Sequence, residues 1–307
     1  VFKFKVGITP SSFSSSNPAP RIALESAGIE VIENPFGRRL TEQEAFDYLT
    51  DKDGIIAGLE PITQKVLENA RSLKAIARVG IGIENIDLDA ARKLGIKVSN
   101  TPDGPTNAVA EMTVAIALML SRRLLETNRK MHEGLWVKEI GKGLTGQKVL
   151  FIGYGRIGKS TANLMRAFGT EILVFDPYVE AGDLKDDERK VTLEEALPQA
   201  DIITLHAQGR EVILGNEQFN LAKNGVMLLN SARGELVDES SLIQSIESGK
   251  VAAGWFDAFW EEPYKGRLLE FENIILTPHV GTYTKQCRLA MEMDAVNNLI
   301  RDLGLPQ

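Results

Sequence analysis

The chain has 307 residues, 43% of them apolar and 25% charged, with a formal net charge of −7 and one cysteine. That length and balance exclude a disordered tail and a disulfide-stapled mini-protein, and at about 100–200 residues per domain they predict two domains. No basic block is present, which argues against a nucleic-acid partner or an anionic membrane surface.

Cys287 has no second cysteine to pair with inside the chain, which favours a reducing compartment. No stretch reaches the about 18–20 apolar residues of a membrane span, and no basic segment followed by an apolar one opens the chain. A cytoplasmic protein is expected, without membrane or nucleic-acid contact and without a bound metal.

Taken in order, Lys5–Ile8 reads as a strand running into the Ser-rich loop Ser11–Ser16. A helix near Arg21–Ala27 and a strand at Glu30–Ile32 follow. Gly54–Ala57 and Ala75–Val79 read as further strands, with a helix at Ile62–Ala70 between them. Thr101-Pro102-Asp103-Gly104-Pro105 is the clearest break, because two prolines and a glycine continue neither a helix nor a central strand. A long helix over Thr106–Ser121 comes next. After Gly141–Gly146 a second series begins, with strands at Lys148–Ile152, Glu171–Phe175, Asp201–Leu205, Val226–Asn230, Ala252–Phe256 and Asn273–Leu276. The chain closes on a helix over Lys285–Asp302. Short apolar runs alternating with helical patterns predict parallel α/β construction, and the second series suffices for a dinucleotide-binding sheet.

Strand Lys148–Ile152 runs straight into Gly153-Tyr154-Gly155-Arg156-Ile157-Gly158. A G-x-G-x-x-G alone is weak; this one has a strand before it, a helix after it and a second strand ending in Phe175-Asp176. Gly153 permits the tight turn, Gly155 lets the backbone approach a pyrophosphate, and Gly158 lets the helix pack close to the sheet. Asp176 is placed to accept the adenine ribose hydroxyls and to repel a 2′-phosphate, so NAD is expected over NADP.

Three later strand ends carry chemistry: Ser231-Ala232-Arg233-Gly234, Asp257 through Glu261-Glu262-Pro263, and Thr277-Pro278-His279-Val280-Gly281. Hydride transfer from a 2-hydroxy acid needs a cation to hold the carboxylate and polarise the carbonyl, and guanidinium does this directionally. It also needs a base that works near neutral pH, for which imidazole is suited, and a carboxylate beside that imidazole. Arg233, His279 and Glu262 supply these groups. His206 also follows a strand and competes for the role of base, and periodicity does not choose between the two histidines. His132, at a polar helix end, reads as solvated surface.

The chain resembles the D-isomer-specific 2-hydroxyacid dehydrogenases along nearly its whole length. The resemblance rests on Arg78-Val79-Gly80-Ile81-Gly82-Ile83-Glu84-Asn85-Ile86-Asp87, Asn100-Thr101-Pro102, Asn107-Ala108-Val109-Ala110-Glu111, the phosphate loop, and the three strand-end motifs. It implies two doubly wound parallel-sheet domains, one flavodoxin-like for substrate and one Rossmann domain for NAD. The substrate domain is then discontinuous, 1–101 plus 282–307, around an NAD-binding domain of 102–281. The resemblance favours His279 over His206 as the proton donor and acceptor, with Glu262 as its partner and Arg233 as the substrate arginine. Arg156 and Ile157 resemble the family's pyrophosphate-binding pair, and Asp257 the residue that meets the nicotinamide amide. Val79 and Gly80 match the loop whose amides meet the substrate carboxylate, and Arg78, just before that loop, is a candidate substrate contact and the one partner it offers to a substrate phosphate. Ile81, His206, Ala207, Ser231, Ala232, Arg233, His279 and Gly281 complete the implied cofactor contacts. In that family the helix beginning near Thr106 is commonly part of a dimer interface, so the resemblance implies a homodimer.

The sequence departs from the family at Ala207-Gln208-Gly209-Arg210, where a Pro-Leu is usual, and at Glu84, where aspartate is usual. No regulatory domain follows Gln307 in this sequence, so serine feedback through one is not expected. In phosphoglycerate dehydrogenases the loop after the strand ending near Ile56 commonly carries an arginine; Ala57-Gly58-Leu59-Glu60 has none. The expectation is therefore an NAD-dependent oxidoreductase of a small 2-hydroxy/2-oxo acid. The alternatives are a phosphoglycerate dehydrogenase without a regulatory domain and an NAD(H)-sensing interaction protein resembling the co-repressors of this fold.

Overall fold

The first run of apolar segments pairs into one parallel sheet. In chain order it comprises β1 (Phe4–Ile8), α1 (Ala19–Ser26), β2 (Ile29–Ile32), α2 (Glu42–Tyr48), β3 (Gly54–Ala57), α3 (Gln64–Asn69), β4 (Ala75–Arg78), α4 (Leu88–Lys93) and β5 (Lys97–Ser99). The strand order is β2-β1-β3-β4-β5, and every pairing is parallel. Every residue of β3 and β4 is buried, as strands covered on both faces by helices must be. The order reverses between β1 and β3. A ligand crevice of such a sheet opens there, outside the strands' carboxyl ends.

The second run begins with α5 (Pro105–Ser121) and α6 (Leu124–His132). It continues through β6 (Lys148–Ile152), α7 (Arg156–Arg166), β7 (Glu171–Phe175), β8 (Glu188–Lys190), α8 (Leu193–Ala196), β9 (Ile202–Leu205), α9 (Asn216–Leu221), β10 (Val226–Asn230), α10 (Glu239–Glu247), β11 (Val251–Phe256) and β12 (Ile274–Leu276). These strands form a parallel sheet ordered β12-β11-β10-β9-β6-β7-β8, reversing between β6 and β9. One core face packs Leu150, Ile203, Leu228 and Phe256 with α8, α9 and α10; the other packs Phe151, Leu229 and Trp255 with α5 and α7.

The last helix, α11 (Lys285–Asp302), returns to the first sheet. It buries Met291, Ala295, Val296 and Leu299 against β3, β4 and β5, and packs on α1. The computed structural model describes residues 2–306 and divides into two units, Val1–Pro105 with Thr282–Gln307, and Thr106–Gly281. Both sheets are wholly parallel, as the alternating pattern predicts. Among the described residues no helix is long and apolar enough to cross a membrane.

Candidate active site

The phosphate loop joins β6 to α7 at the reversal of the second sheet. Gly153 has φ +89°, and a Cβ there would collide with the backbone of Ala207, so only glycine fits. A Cβ at Gly158 would meet the Gly153 carbonyl, whereas one at Gly155 would meet nothing within 4 Å. The loop is therefore packed tight on the protein side and open above Gly155, where the amino end of α7 presents its donors and partial positive charge. That open space suits a pyrophosphate. Arg156 and Ile157 form the first turn of α7, Arg156 exposed and Ile157 half-buried.

Asp176 follows β7. Its Oδ2 accepts the Tyr154 amide at 2.7 Å and its Oδ1 accepts the Tyr178 amide at 2.8 Å. The carboxylate is thus anchored to the phosphate loop itself, and each oxygen retains a lone pair for a ribose hydroxyl. These residues fit a dinucleotide with an unphosphorylated ribose.

The ends of β10, β11 and β12 lie side by side. Asn230 registers with Phe256 and Phe256 with Leu276, so the segments that follow leave one edge of the sheet together. The buried side chain of Asn230 shapes the first turn, accepting from the Ala232 amide at 3.0 Å and donating to the Arg233 carbonyl at 2.8 Å. Arg233 is half-buried, and its Nη1 donates to the Ala232 carbonyl at 2.8 Å. Ser231 is half-buried beside it, and Ala232 is buried.

His279 and Glu262 meet. The Nδ1 of His279 lies 2.9 Å from Glu262 Oε1 and 3.2 Å from Oε2. His279 has φ +55°, a conformation that a non-glycine residue adopts only when its surroundings hold it there. Asp257 is the group that holds it. Its Oδ1 accepts the Thr277 hydroxyl at 2.6 Å and the Val280 amide at 2.8 Å, and its Oδ2 accepts the Gly281 amide at 2.7 Å. Thr277 in turn accepts from Trp255 Nε1 at 2.8 Å. Asn230 and Thr277 stand within the strand-end motifs, and the motifs alone assign them no role. The available signal was a short hydrogen-bonding side chain at or just past a strand's carboxyl end.

His206 stands elsewhere, after β9. Its Nε2 lies 3.0 Å from the Thr204 hydroxyl, its ring stacks on Phe151, and its Nδ1 is buried with no hydrogen-bond partner. Burial pushes its pKa from 6.5 down to about 3. A ring held neutral is a poor proton shuttle near neutral pH. The packing of Ala207 against Gly153 places this segment beside the phosphate loop.

In the first unit, Arg78 is 8% exposed, and its guanidinium folds back to donate to the Val79 carbonyl. The Val79 amide donates to the Ala57 carbonyl at 2.9 Å, and the Gly80 amide to the Thr101 hydroxyl at 2.8 Å. Ile81 and Gly82 are half-buried. Among the described residues neither of their amides donates a hydrogen bond within the protein. Glu60 is buried: it accepts from the Thr9 hydroxyl at 2.6 Å and from the Gly58 amide at 3.1 and 3.2 Å, and burial pushes its carboxyl pKa up.

Residues 114–281 match the family model described as D-isomer specific 2-hydroxyacid dehydrogenase, NAD binding domain. A D-3-phosphoglycerate dehydrogenase of Homo sapiens is 33% identical over 282 residues, 89% of this chain and 52% of that protein. A hydroxypyruvate reductase of Thermotoga maritima is 33% identical over 260 residues, 82% of this chain and 84% of that protein. The solved TT0316 protein of Thermus thermophilus superposes with a TM-score of 0.88 at 30% identity, covering 98% of this chain and 97% of that one. The chain spans about half the length of the phosphoglycerate dehydrogenases it matches. The matched model lies over the phosphate loop, Asp176 and the Arg233, Glu262 and His279 segments, and the chain belongs to the D-isomer specific 2-hydroxyacid dehydrogenase family, with its NAD-binding domain in the second unit.

Proposed function

We propose that this chain is an NAD-dependent oxidoreductase that interconverts a small unphosphorylated 2-hydroxy acid and its 2-oxo acid. The observation that carries this reading is the Glu262–His279 pair, on the same sheet edge as the phosphate loop. When bound, NAD accepts or supplies the hydride. The contact of Nδ1 with Glu262 leaves Nε2 as the ring atom that exchanges a proton with the substrate oxygen. Glu262 balances the charge of the ring when both nitrogens carry protons. Arg233 holds the substrate carboxylate and polarises the carbonyl.

Two features favour an unphosphorylated acid. The loop after β3 offers no cation, and the guanidinium of Arg78 is buried against its own loop. The hydroxypyruvate reductase relative also matches over most of its length. A panel of 2-oxo acids assayed with NADH tests the reading. Glyoxylate or hydroxypyruvate should show the higher kcat/KM, and a clear preference for 3-phosphohydroxypyruvate would restore a phosphoglycerate dehydrogenase. NADH binding without turnover of any acid would make the chain a nucleotide sensor.

We further propose a homodimer in the cytoplasm. Leu125, Met131, Leu135, Trp136, Val137 and Ile140 are exposed on and after α6, and two of them, Leu125 and Ile140, line a cavity of about 910 Å³ with Met119 and Met227. A second copy would cover that apolar surface. Sedimentation of Ile140→Asp against the unaltered chain tests it, with the unaltered chain expected as a dimer and the variant shifted toward monomer. The single buried cysteine suits a reducing compartment.

A further inference from the structure

We propose that Trp260 and Tyr264 are positioning residues that hold the Glu262 carboxylate on His279. The inference rests on the oxidoreductase reading above and deepens it. Residues 257–266, between β11 and the short 3₁₀ turn Arg267–Glu270, are irregular, so no backbone ladder fixes where the Glu262 carboxylate stands. Side chains must do so. Glu262 Oε1 nonetheless meets His279 Nδ1 at 2.9 Å and accepts the Phe259 amide at 3.3 Å. Glu261, the neighbouring carboxylate, is exposed, so the register of this segment decides which glutamate faces the histidine.

Two half-buried aromatic residues bracket Glu262, and both reach the same partner segment. The Trp260 indole Nε1 donates to the Val237 carbonyl at 2.8 Å. The Tyr264 hydroxyl donates to Glu239 Oε1 at 2.5 Å and accepts the Leu268 amide at 3.1 Å. The rings stack as well, Trp260 on Phe256 at 5.8 Å between centroids and Tyr264 on Phe259 at 4.7 Å. Stacking alone would accept phenylalanine at either position. The indole N–H and the phenol O–H add direction, which fixes register.

The partner segment is itself rigid and leads back to the substrate arginine. Val237 is fully buried, the Asp238 amide donates to the Leu214 carbonyl at 2.9 Å, and the Asp238 carboxylate caps α10 by accepting the Ser241 amide at 2.8 Å. The segment continues the turn that begins at Arg233. A Cβ at Gly234 would come within 2.3 Å of Phe259 and 2.4 Å of Trp260 backbone atoms, so that turn lies directly against the Glu262 segment. Trp260 and Tyr264 therefore set the carboxylate relative to both His279 and Arg233, all within the second unit. A misplacement of about 1 Å at a reacting group can cost about 100-fold in rate.

The experiment measures reduction of glyoxylate and hydroxypyruvate with NADH in Trp260→Phe and Tyr264→Phe, each alone and combined with Glu262→Gln. Each variant alone should lower kcat by about tenfold or more, with the Kd for NADH within about twofold. Combined with Glu262→Gln, each should cost less than about twofold further, because residues that act through one group are not additive. An equal loss in both backgrounds marks a merely structural role and overturns the proposal, as does an unchanged kcat in both variants. If Trp260→Phe fails to fold, Tyr264→Phe, which loses one oxygen atom, decides alone. If the unaltered chain reduces no 2-oxo acid, the oxidoreductase reading fails separately, and imidazole ¹⁵N NMR decides the positioning role. The His279 Nδ1 resonance, identified by its loss in His279→Ala, should then move in both variants toward its place in Glu262→Gln. A resonance that stays where it stands in the unaltered chain overturns the proposal.

Discussion

Asp257 grips Gly281 through a 2.7 Å hydrogen bond to its amide, and with its other oxygen it takes the Val280 amide and the Thr277 hydroxyl. His279 is held between these anchors at φ +55°. Asp257 is 3% exposed, so its first task is to shape the histidine loop. In Asp257→Asn one oxygen becomes an amide donor that faces a backbone or hydroxyl donor, at a cost of about 1–3 kcal/mol. We expect kcat to fall by at least about tenfold while the Kd for NADH, read by fluorescence, stays within twofold. A raised Kd with unchanged kcat would assign Asp257 to the cofactor instead.

Proton transfer separates the two histidines. His279→Ala should lower kcat by about 10²–10⁴, the usual worth of a general acid–base group, while NADH still binds. Glu262→Gln should lower it less, because the ring keeps a hydrogen-bonding partner at Nδ1. A large loss in His206→Gln alongside an active His279→Ala would reverse the assignment.

His206 should be read out through stability. Its folded pKa of about 3 lies below its ordinary 6.5, so within that window the unfolded chain binds a proton that the folded chain refuses. Its contribution is fully present above pH 6.5 and is lost as pH falls. From pH 6.5 to 5 the loss reaches at most about 2 kcal/mol. Glu60, whose pKa burial raises, acts in the opposite direction. The comparison is therefore made between the unaltered chain and His206→Gln. Urea unfolding should show a shallower pH dependence in the variant; parallel curves would rule the effect out.

The central strands were legible because both their faces are buried, which writes a continuous apolar run into the sequence at Gly54–Ala57 and Val226–Asn230. The edge strands β5 and β8 were not: Lys97–Ser99 and Glu188–Lys190 are short and mostly polar, unlike the edge strands β2 and β12, whose apolar residues the sequence displays. Helix α2 carries a Thr41…Glu44 capping box, a start signal that the sequence displays. In the site, the three glycines of the phosphate loop were legible because the strand–turn–helix context lies within one short segment. The choice between His206 and His279 was not, since both follow strands. Their surroundings differ only through space, Glu262 facing one and Phe151 stacking on the other. The internal commitment of the Val79 and Gly80 amides was equally hidden, because backbone donors leave no mark in a sequence.

Cofactor choice rests on Asp176, which has two separable jobs. Its negative charge repels a 2′-phosphate, and its oxygens fix the Tyr154 and Tyr178 amides that shape the cofactor loop. Asp176→Asn removes the charge and keeps one acceptor oxygen, so part of the anchoring survives. Asp176→Ala removes both. If charge sets the preference, the ratio of kcat/KM for NADH over NADPH should narrow in both variants. The loss of NADH affinity should be larger in the alanine variant, by about another tenfold for the hydrogen bonds given up. A ratio that narrows only in Asp176→Ala would shift the cause from charge to loop geometry. An unchanged ratio in both variants would remove Asp176 from cofactor selection altogether.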